Sequence, residues 1–158
     1  NDPIAEQYTH ELYAGTNENM ILTIFPAKKN GILVGAAVES LTRKGFGGEI
    51  SIMVGFNADG SIRNYQVLKH AETPGLGSKM QEWFRTDKNH QSILGLNPGK
   101  GEMKVSKDGG NIDAITAATI SSRAFIDAIQ NAYRAFMGEP DVHSAASPKA
   151  NQNKEEKK

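Results

Sequence analysis

Alternating apolar and polar residues between positions 49 and 57 constrain the fold of this chain more than any other stretch. The apolar members, which would share one face of an extended chain, are Ile50, Ile52, Val54 and Phe56. This spacing is typical of a strand that is buried on one side. The next residues, Asn57-Ala58-Asp59-Gly60, favour a tight turn, and a second strand is expected from Ser61 to about Lys69. The segment therefore predicts an antiparallel hairpin.

Segments before this hairpin extend it into a meander. Residues 19–25 are rich in β-forming residues and close at Pro26, and a turn at Lys28-Lys29-Asn30-Gly31 leads to another apolar run over 32–41. Residues 4–14 are interpreted as a short helix or an ordered lead-in. We expect a meander of about four antiparallel strands.

The last ordered element predicted is an amphipathic helix from Ile120 to about Met137. Its apolar residues recur at helical spacing, and they are Ala124, Phe125, Ala128, Ile129, Ala132 and Phe136. Gly138 and Pro140 end it. A shorter helix is expected over 78–84 and a short strand over 102–105. The predicted fold class is α+β, with an antiparallel meander sheet packed against a C-terminal helix.

The domain organisation follows from these elements and from composition. Residues 1–18 form a lead-in, residues 19–140 form one domain, and residues 141–158 are polar without apolar periodicity, which predicts a disordered tail. A length of 158 residues is typical of a single domain.

Composition excludes several classes of function. The 18 basic and 18 acidic residues give a formal net charge of zero, which argues against a nucleic-acid-binding protein. The absence of cysteine excludes disulfides, thiolate metal sites and iron–sulfur ligation within this chain. The four histidines are scattered, so no metal site is predicted, and no apolar run approaches the ~18 residues of a membrane span.

A hydroxyl-rich segment, Asp113-Ala114-Ile115-Thr116-Ala117-Ala118-Thr119, precedes the long helix. It places the Thr119 alcohol at a helix N-terminus, where a protein readily holds a phosphate. The backbone N–H groups of Ile120, Ser121 and Ser122 are expected to face that phosphate. On local physics alone, a threonine in this place is more often an ordinary helix N-cap.

A second segment combines glycines with polar side chains: His70-Ala71-Glu72-Thr73-Pro74-Gly75-Leu76-Gly77. Its glycines permit close approach to a flat ring, and Pro74 stiffens the turn. Glu72 and Thr73 offer polar atoms to a ligand. Taken alone, the segment also fits a Pro-Gly turn that leads into a short helix. A glycine-rich segment at 45–48 is compatible with either a tight bulge or a ligand contact.

The two segments together resemble the FMN-binding domain family. In that family the last Thr of an Asp-x-x-Ser/Thr-small-Ala-Thr motif is esterified through the phosphate of FMN, and a His-x-Glu-Thr-Pro-Gly-Leu-Gly loop lies against the flavin. The resemblance implies FMN covalently attached to Thr119, with no catalytic residue and no metal. The other cofactor-binding residues that it implies are His70, Glu72, Thr73, Pro74, Gly75, Leu76, Gly77, Asp113, Thr116, Ala117, Ala118, Ile120 and Ser121.

The resemblance also implies a role in electron transport. Such domains occur in the G subunit of the Rnf ferredoxin:NAD oxidoreductase complex, which this chain resembles more, and in the C subunit of the sodium-pumping NADH:quinone reductase. It implies partner subunits, a flavin transferase that uses FAD, an N-terminal membrane helix absent from this chain, and a domain on the periplasmic side of the inner membrane. Two alternatives are a module that binds flavin non-covalently and an interaction domain in which both segments are only turns and caps.

Overall fold

Five antiparallel strands form one sheet in the computed structural model, which describes residues 2–13 and 19–138. The strands are β1 (Tyr8–Tyr13), β2 (Asn19–Lys29), β3 (Ile32–Gly45), β4 (Gly48–Asn57) and β5 (Ile62–Lys69). Strands that follow one another in the chain are neighbours in the sheet. The predicted antiparallel meander is therefore confirmed.

Two α-helices accompany the sheet, α1 (Met80–Trp83) and α2 (Thr119–Met137). Single turns of 3-10 helix lie at Gly77–Lys79, Pro98–Lys100 and Ser106–Asp108. Within the described ranges, no helix is long and apolar enough to cross a lipid bilayer.

Helix α2 packs against one face of the sheet and closes the core. The alternating residues of β4 all point into this core, as predicted. Phe125 of α2 is fully buried, stacks on Phe84 with ring centroids 4.6 Å apart, and meets the edge of Tyr65 at 4.9 Å. The Ser40 hydroxyl of β3 donates to the Ala128 carbonyl at 2.8 Å, which fixes the helix along the sheet. This packing positions the N-terminus of α2 beside the turn between β3 and β4.

The structure differs from the prediction at three places. Residues 8–13 form a strand paired with β2, where a helix or lead-in was expected, and Leu12 is its fully buried apolar residue. Strand β2 continues through Pro26. Because pairing with β1 stops at Ile24, proline, which has no N–H, costs no hydrogen bond to β1. Residues 102–105 form no strand, only a single bridge between Val105 and Ile112. The tail predicted at 141–158 lies outside the described residues.

Candidate functional site

A cavity of about 380 Å³ lies where the turn between β3 and β4, the loop before α1 and the first turn of α2 meet. Most of its lining was predicted from sequence as cofactor-binding: Thr73, Leu76, Gly77, Ala117, Ala118, Thr119, Ile120 and Ser121. Phe46 completes the wall from the β3–β4 turn, and its side chain is 67% exposed. It was not among the predicted site residues, although the glycine-rich segment at 45–48 was the signal that could have identified it.

Thr119 is the first residue of α2, and Ala118 occupies the N-cap position without any side-chain cap. Thr119 is therefore not the N-cap of α2, which was the alternative that local physics alone favoured. Within the described part of the chain, the Thr119 hydroxyl has no hydrogen-bond partner. The hydroxyl lines the cavity and is available for chemistry.

The free backbone donors lie one residue earlier than predicted. The N–H of Ser122 donates to the Ala118 carbonyl at 3.0 Å, so it already belongs to the helical ladder. The N–H groups of Thr119, Ile120 and Ser121 precede the first possible intrahelical bond. These three donors carry the positive end of the helix dipole, which favours an anion beside Thr119.

The two serines after Thr119 are already engaged. The Ser121 hydroxyl donates to Glu72 Oε1 at 2.6 Å. The Ser122 hydroxyl donates to the Ala118 carbonyl at 2.9 Å and accepts from the Ile115 N–H at 2.9 Å. Both serines are buried, so Thr119 carries the available hydroxyl of the first helical turn.

Ala117 adopts a left-handed backbone conformation, with φ of 62°. This conformation favours glycine, since the Cβ of other residues approaches the next carbonyl oxygen. Ala117 is exposed, whereas Ala114, earlier in the same segment, packs against the core. The strained turn brings the chain sharply into α2 beside the cavity.

Asp113 lies outside the cavity lining and connects its own segment with helix α1 and with the loop at His90. Its carboxylate accepts from the His90 N–H at 3.1 Å, and its carbonyl accepts from Trp83 Nε1 at 2.8 Å. Thr116 is exposed and does not line the cavity either. The roles of both residues at a cofactor therefore stay predictions.

The loop at 70–77 reaches the cavity through its last residues. Gly75 has φ of 78°, and a Cβ at Gly77 would lie 2.4 Å from Ser121 Oγ, so this close approach requires glycine. His70, Pro74 and Gly75 are exposed and outside the lining. His70 Nδ1 accepts from the Glu72 N–H at 3.0 Å, which orders the loop. Glu72 itself is buried and is not part of the cavity lining.

Charged groups near the site are paired or exposed. Arg123, one turn along α2, forms a double hydrogen bond with Asp108 at 2.7 and 2.8 Å, which lowers the pKa of Asp108 below its ordinary value. In the described ranges, no three His, Asp or Glu side chains come together as a metal site. The arrangement therefore offers two alcohols without a partner among the described residues, those of Thr73 and Thr119, together with three backbone donors and an apolar wall.

Comparison with known proteins identifies this arrangement. The FMN-binding domain family matches residues 45–134, which run from the β3–β4 turn into the last turns of α2. The chain belongs to the FMN-binding domain family. This membership confirms the sequence-based resemblance and gives FMN as the cofactor of the domain.

Several curated relatives are named as the G subunit of an ion-translocating oxidoreductase complex. The protein from Aliivibrio fischeri (strain MJ11) is 35% identical over 139 residues, which cover 80% of this chain and 65% of that protein. The protein from Pseudoalteromonas atlantica is 31% identical over 88% of this chain and 64% of its own length, and that from Vibrio parahaemolyticus is 40% identical over 66% and 50%. The chain thus spans half to two thirds of the length of these relatives.

The residues around the cavity fit an FMN group. The exposed side chains of Phe46, Leu76 and Ile120 give the apolar surface that suits a flat ring system. The donors at the start of α2 suit the phosphate. Thr119 lines the same cavity as this apolar surface and these backbone donors.

Proposed function

We propose that this chain is an electron-transfer subunit that carries FMN as a phosphoester on Thr119. The observation that carries the proposal is the Thr119 hydroxyl, unpaired among the described residues, at an N-terminus of α2 that no side chain caps. The neighbouring serines are engaged elsewhere, so Thr119 carries the available hydroxyl at the start of α2. When attached, FMN supplies reversible uptake and release of electrons, and the protein supplies attachment, orientation and electrostatics.

Each wall of the cavity has a separate task in this proposal. Phe46 and Leu76 shield the ring from water, and the backbone donors of Thr119, Ile120 and Ser121 compensate the charge of the phosphate. A covalent bond keeps the cofactor in place even where it could not be replaced from solution. No independent turnover of a small substrate is expected.

Attachment is a phosphoryl-group transfer with FAD as the donor. The Thr119 oxygen forms a bond to the phosphorus of the FMN half of FAD, the bond between the two phosphates breaks, AMP leaves and the hydroxyl proton is released. No oxidant or reductant is needed. In this proposal a separate flavin transferase catalyses the step, as the family resemblance implies.

The relatives named above support a place in an ion-translocating complex of the Rnf type. Their names specify the G subunit, which favours this assignment over the C subunit of the sodium-translocating NADH:quinone reductase. The proposal includes partner subunits at the inner membrane, a membrane helix preceding this domain, and a domain on the periplasmic side.

Intact-mass measurement after co-expression with a flavin transferase tests the attachment. We expect the chain to gain the mass of one FMN and Thr119→Ala to gain none. Thr119→Ser should retain the adduct, because it keeps an alcohol, and Thr116→Ala should retain it as a matched control at an exposed hydroxyl of the same segment. An adduct that survives Thr119→Ala would refute the assignment.

Acid denaturation separates covalent from dissociable flavin. We expect the yellow colour to stay with the precipitated chain. Colour that is released into the supernatant would contradict the phosphoester and favour non-covalent binding in the same cavity.

A further inference from the structure

Glu72 is the buried carboxylate nearest the candidate site, and both of its oxygens accept from protein donors. Its residue is only 4% exposed. Oε1 accepts from the Phe46 N–H at 2.9 Å and from Ser121 Oγ at 2.6 Å, and Oε2 accepts from the Gly47 N–H at 2.8 Å. Hydrogen bonds to a charged, buried acceptor are among the stronger ones in proteins.

These three bonds join the three segments that build the cavity. Phe46 and Gly47 form the turn between β3 and β4, Glu72 belongs to the loop before α1, and Ser121 lies in the first turn of α2. The partners are 25 to 49 residues apart in the chain. Each segment contributes to the cavity lining, while the Glu72 side chain does not.

Close backbone approaches accompany these bonds. A Cβ at Gly47 would lie 2.0 Å from the Ala71 carbonyl oxygen, and a Cβ at Gly77 would lie 2.8 Å from Glu72 Cβ. Both distances are too short for a side chain, so glycine allows the turn and the loop to close around the carboxylate. The glycines of these segments therefore allow close packing around Glu72.

We propose that Glu72 is a positioning residue of the flavin site, rather than a ligand of the flavin. Its carboxylate holds Phe46 as the cavity wall and fixes the first turn of α2, so that the Thr119 hydroxyl is oriented before any flavin is attached. This inference rests on the proposed function for its role in attachment, but the three-way connection stands on the protein alone.

Glu72→Gln tests the connection with little change in volume. An amide has one acceptor oxygen and an NH₂ group, so at least one of the three donors must face another donor. We expect at least one of the Phe46 and Gly47 amides to exchange hydrogen at least tenfold faster in the flavin-free variant, with the amides of Ile52 and Val54 in β4 unchanged. Unchanged exchange at Phe46 and Gly47 would overturn the proposal.

Glu49→Gln is the matched control, because Glu49 is an exposed carboxylate next to the same turn. It removes the same charge and should leave these exchange rates unchanged. If Glu72→Gln does not fold, Ser121→Ala removes only the bond to α2 and keeps the carboxylate. An initial rate of FMN attachment equal to that of the wild-type protein in Ser121→Ala would then contradict the positioning role.

The consequence for the cofactor is measured separately. With a flavin transferase and FAD, we expect Glu72→Gln to acquire FMN at least tenfold more slowly than the wild-type protein and to show an altered visible circular dichroism of the attached flavin. Wild-type attachment rate and spectrum in Glu72→Gln would overturn the proposal. If the wild-type chain acquires no FMN, the proposed function fails, and the exchange experiment still decides whether Glu72 connects the three segments.

Discussion

Replacing Ala117 by glycine should stabilise this domain, although glycine usually destabilises folded proteins. Ala117 has φ of 62°, and holding a non-glycine residue in this conformation costs about 1–2 kcal/mol. Glycine removes this cost, but its greater freedom in the unfolded chain costs about 0.5–1 kcal/mol. Because Ala117 is exposed, no buried methyl is lost. The net expected gain in the free energy of unfolding is about 0.5–1 kcal/mol.

Ala118→Gly is the matched control one residue later. Its φ of −141° is accessible to alanine, and its residue is 8% exposed. The variant loses a buried methyl worth about 0.8 kcal/mol and adds the same unfolded-state cost, so we expect about 1.5 kcal/mol of destabilisation. The two variants should therefore differ by about 2 kcal/mol, or about 6 °C in melting temperature.

Urea denaturation of the flavin-free chain, followed by circular dichroism, measures both variants under the same conditions. A loss of stability in Ala117→Gly as large as that in Ala118→Gly would refute the reasoning. It would mean that the left-handed turn before α2 carries no strain that glycine can relieve.

Three further predictions concern titration and packing. Burial raises the pKa of Tyr65 to about 12 from an ordinary value of 10. The neutral phenol therefore stabilises the fold by about 2–3 kcal/mol below pH 10, and this contribution is lost as pH rises through 12. Urea denaturation between pH 9 and 12 should show this loss in the wild-type chain and not in Tyr65→Phe. Gly77→Ala places a methyl 2.4 Å from Ser121 Oγ and should cost about 1–3 kcal/mol by thermal melting. Gly101→Ala, where nothing lies within 4 Å of the added methyl, should change the melting temperature little, and equal effects would contradict the contact argument. Phe125→Ala should cost about 3–5 kcal/mol in urea denaturation because the ring is fully buried, and a cost below 1 kcal/mol would contradict the described core.

Much of the fold could be predicted because burial leaves a local pattern. The apolar residues alternate along β4 and recur at helical spacing along α2, and in both elements these residues face the core. Both elements form where expected. Strand β1 was not predicted, because its segment is short and forms a strand by pairing with β2. Leu12, its fully buried apolar residue, does not by itself make a local pattern. Strand β2 continues through Pro26 because of where β1 ends, and no local sequence pattern around Pro26 indicates that end.

Most residues that line the cavity could be predicted from the sequence, but the hydrogen bonds that connect them could not. The segments containing Glu72 and Thr119 were identified as motifs, and both contribute residues to the cavity lining. The role of Phe46 and the burial of Glu72 depend on contacts between residues far apart in the chain. The free donors begin at Thr119 because α2 starts one residue earlier than its apolar pattern suggests.

The hydrogen bond from Trp83 to the Asp113 carbonyl also gives this protein an internal optical reporter. Trp83 is the single tryptophan of the chain, and its indole is tied to the first residue of the segment that ends at Thr119. Its emission therefore comes from one known place beside residues 113–119. Quenching of that emission by energy transfer to a yellow chromophore would follow cofactor loading in real time, without any added label.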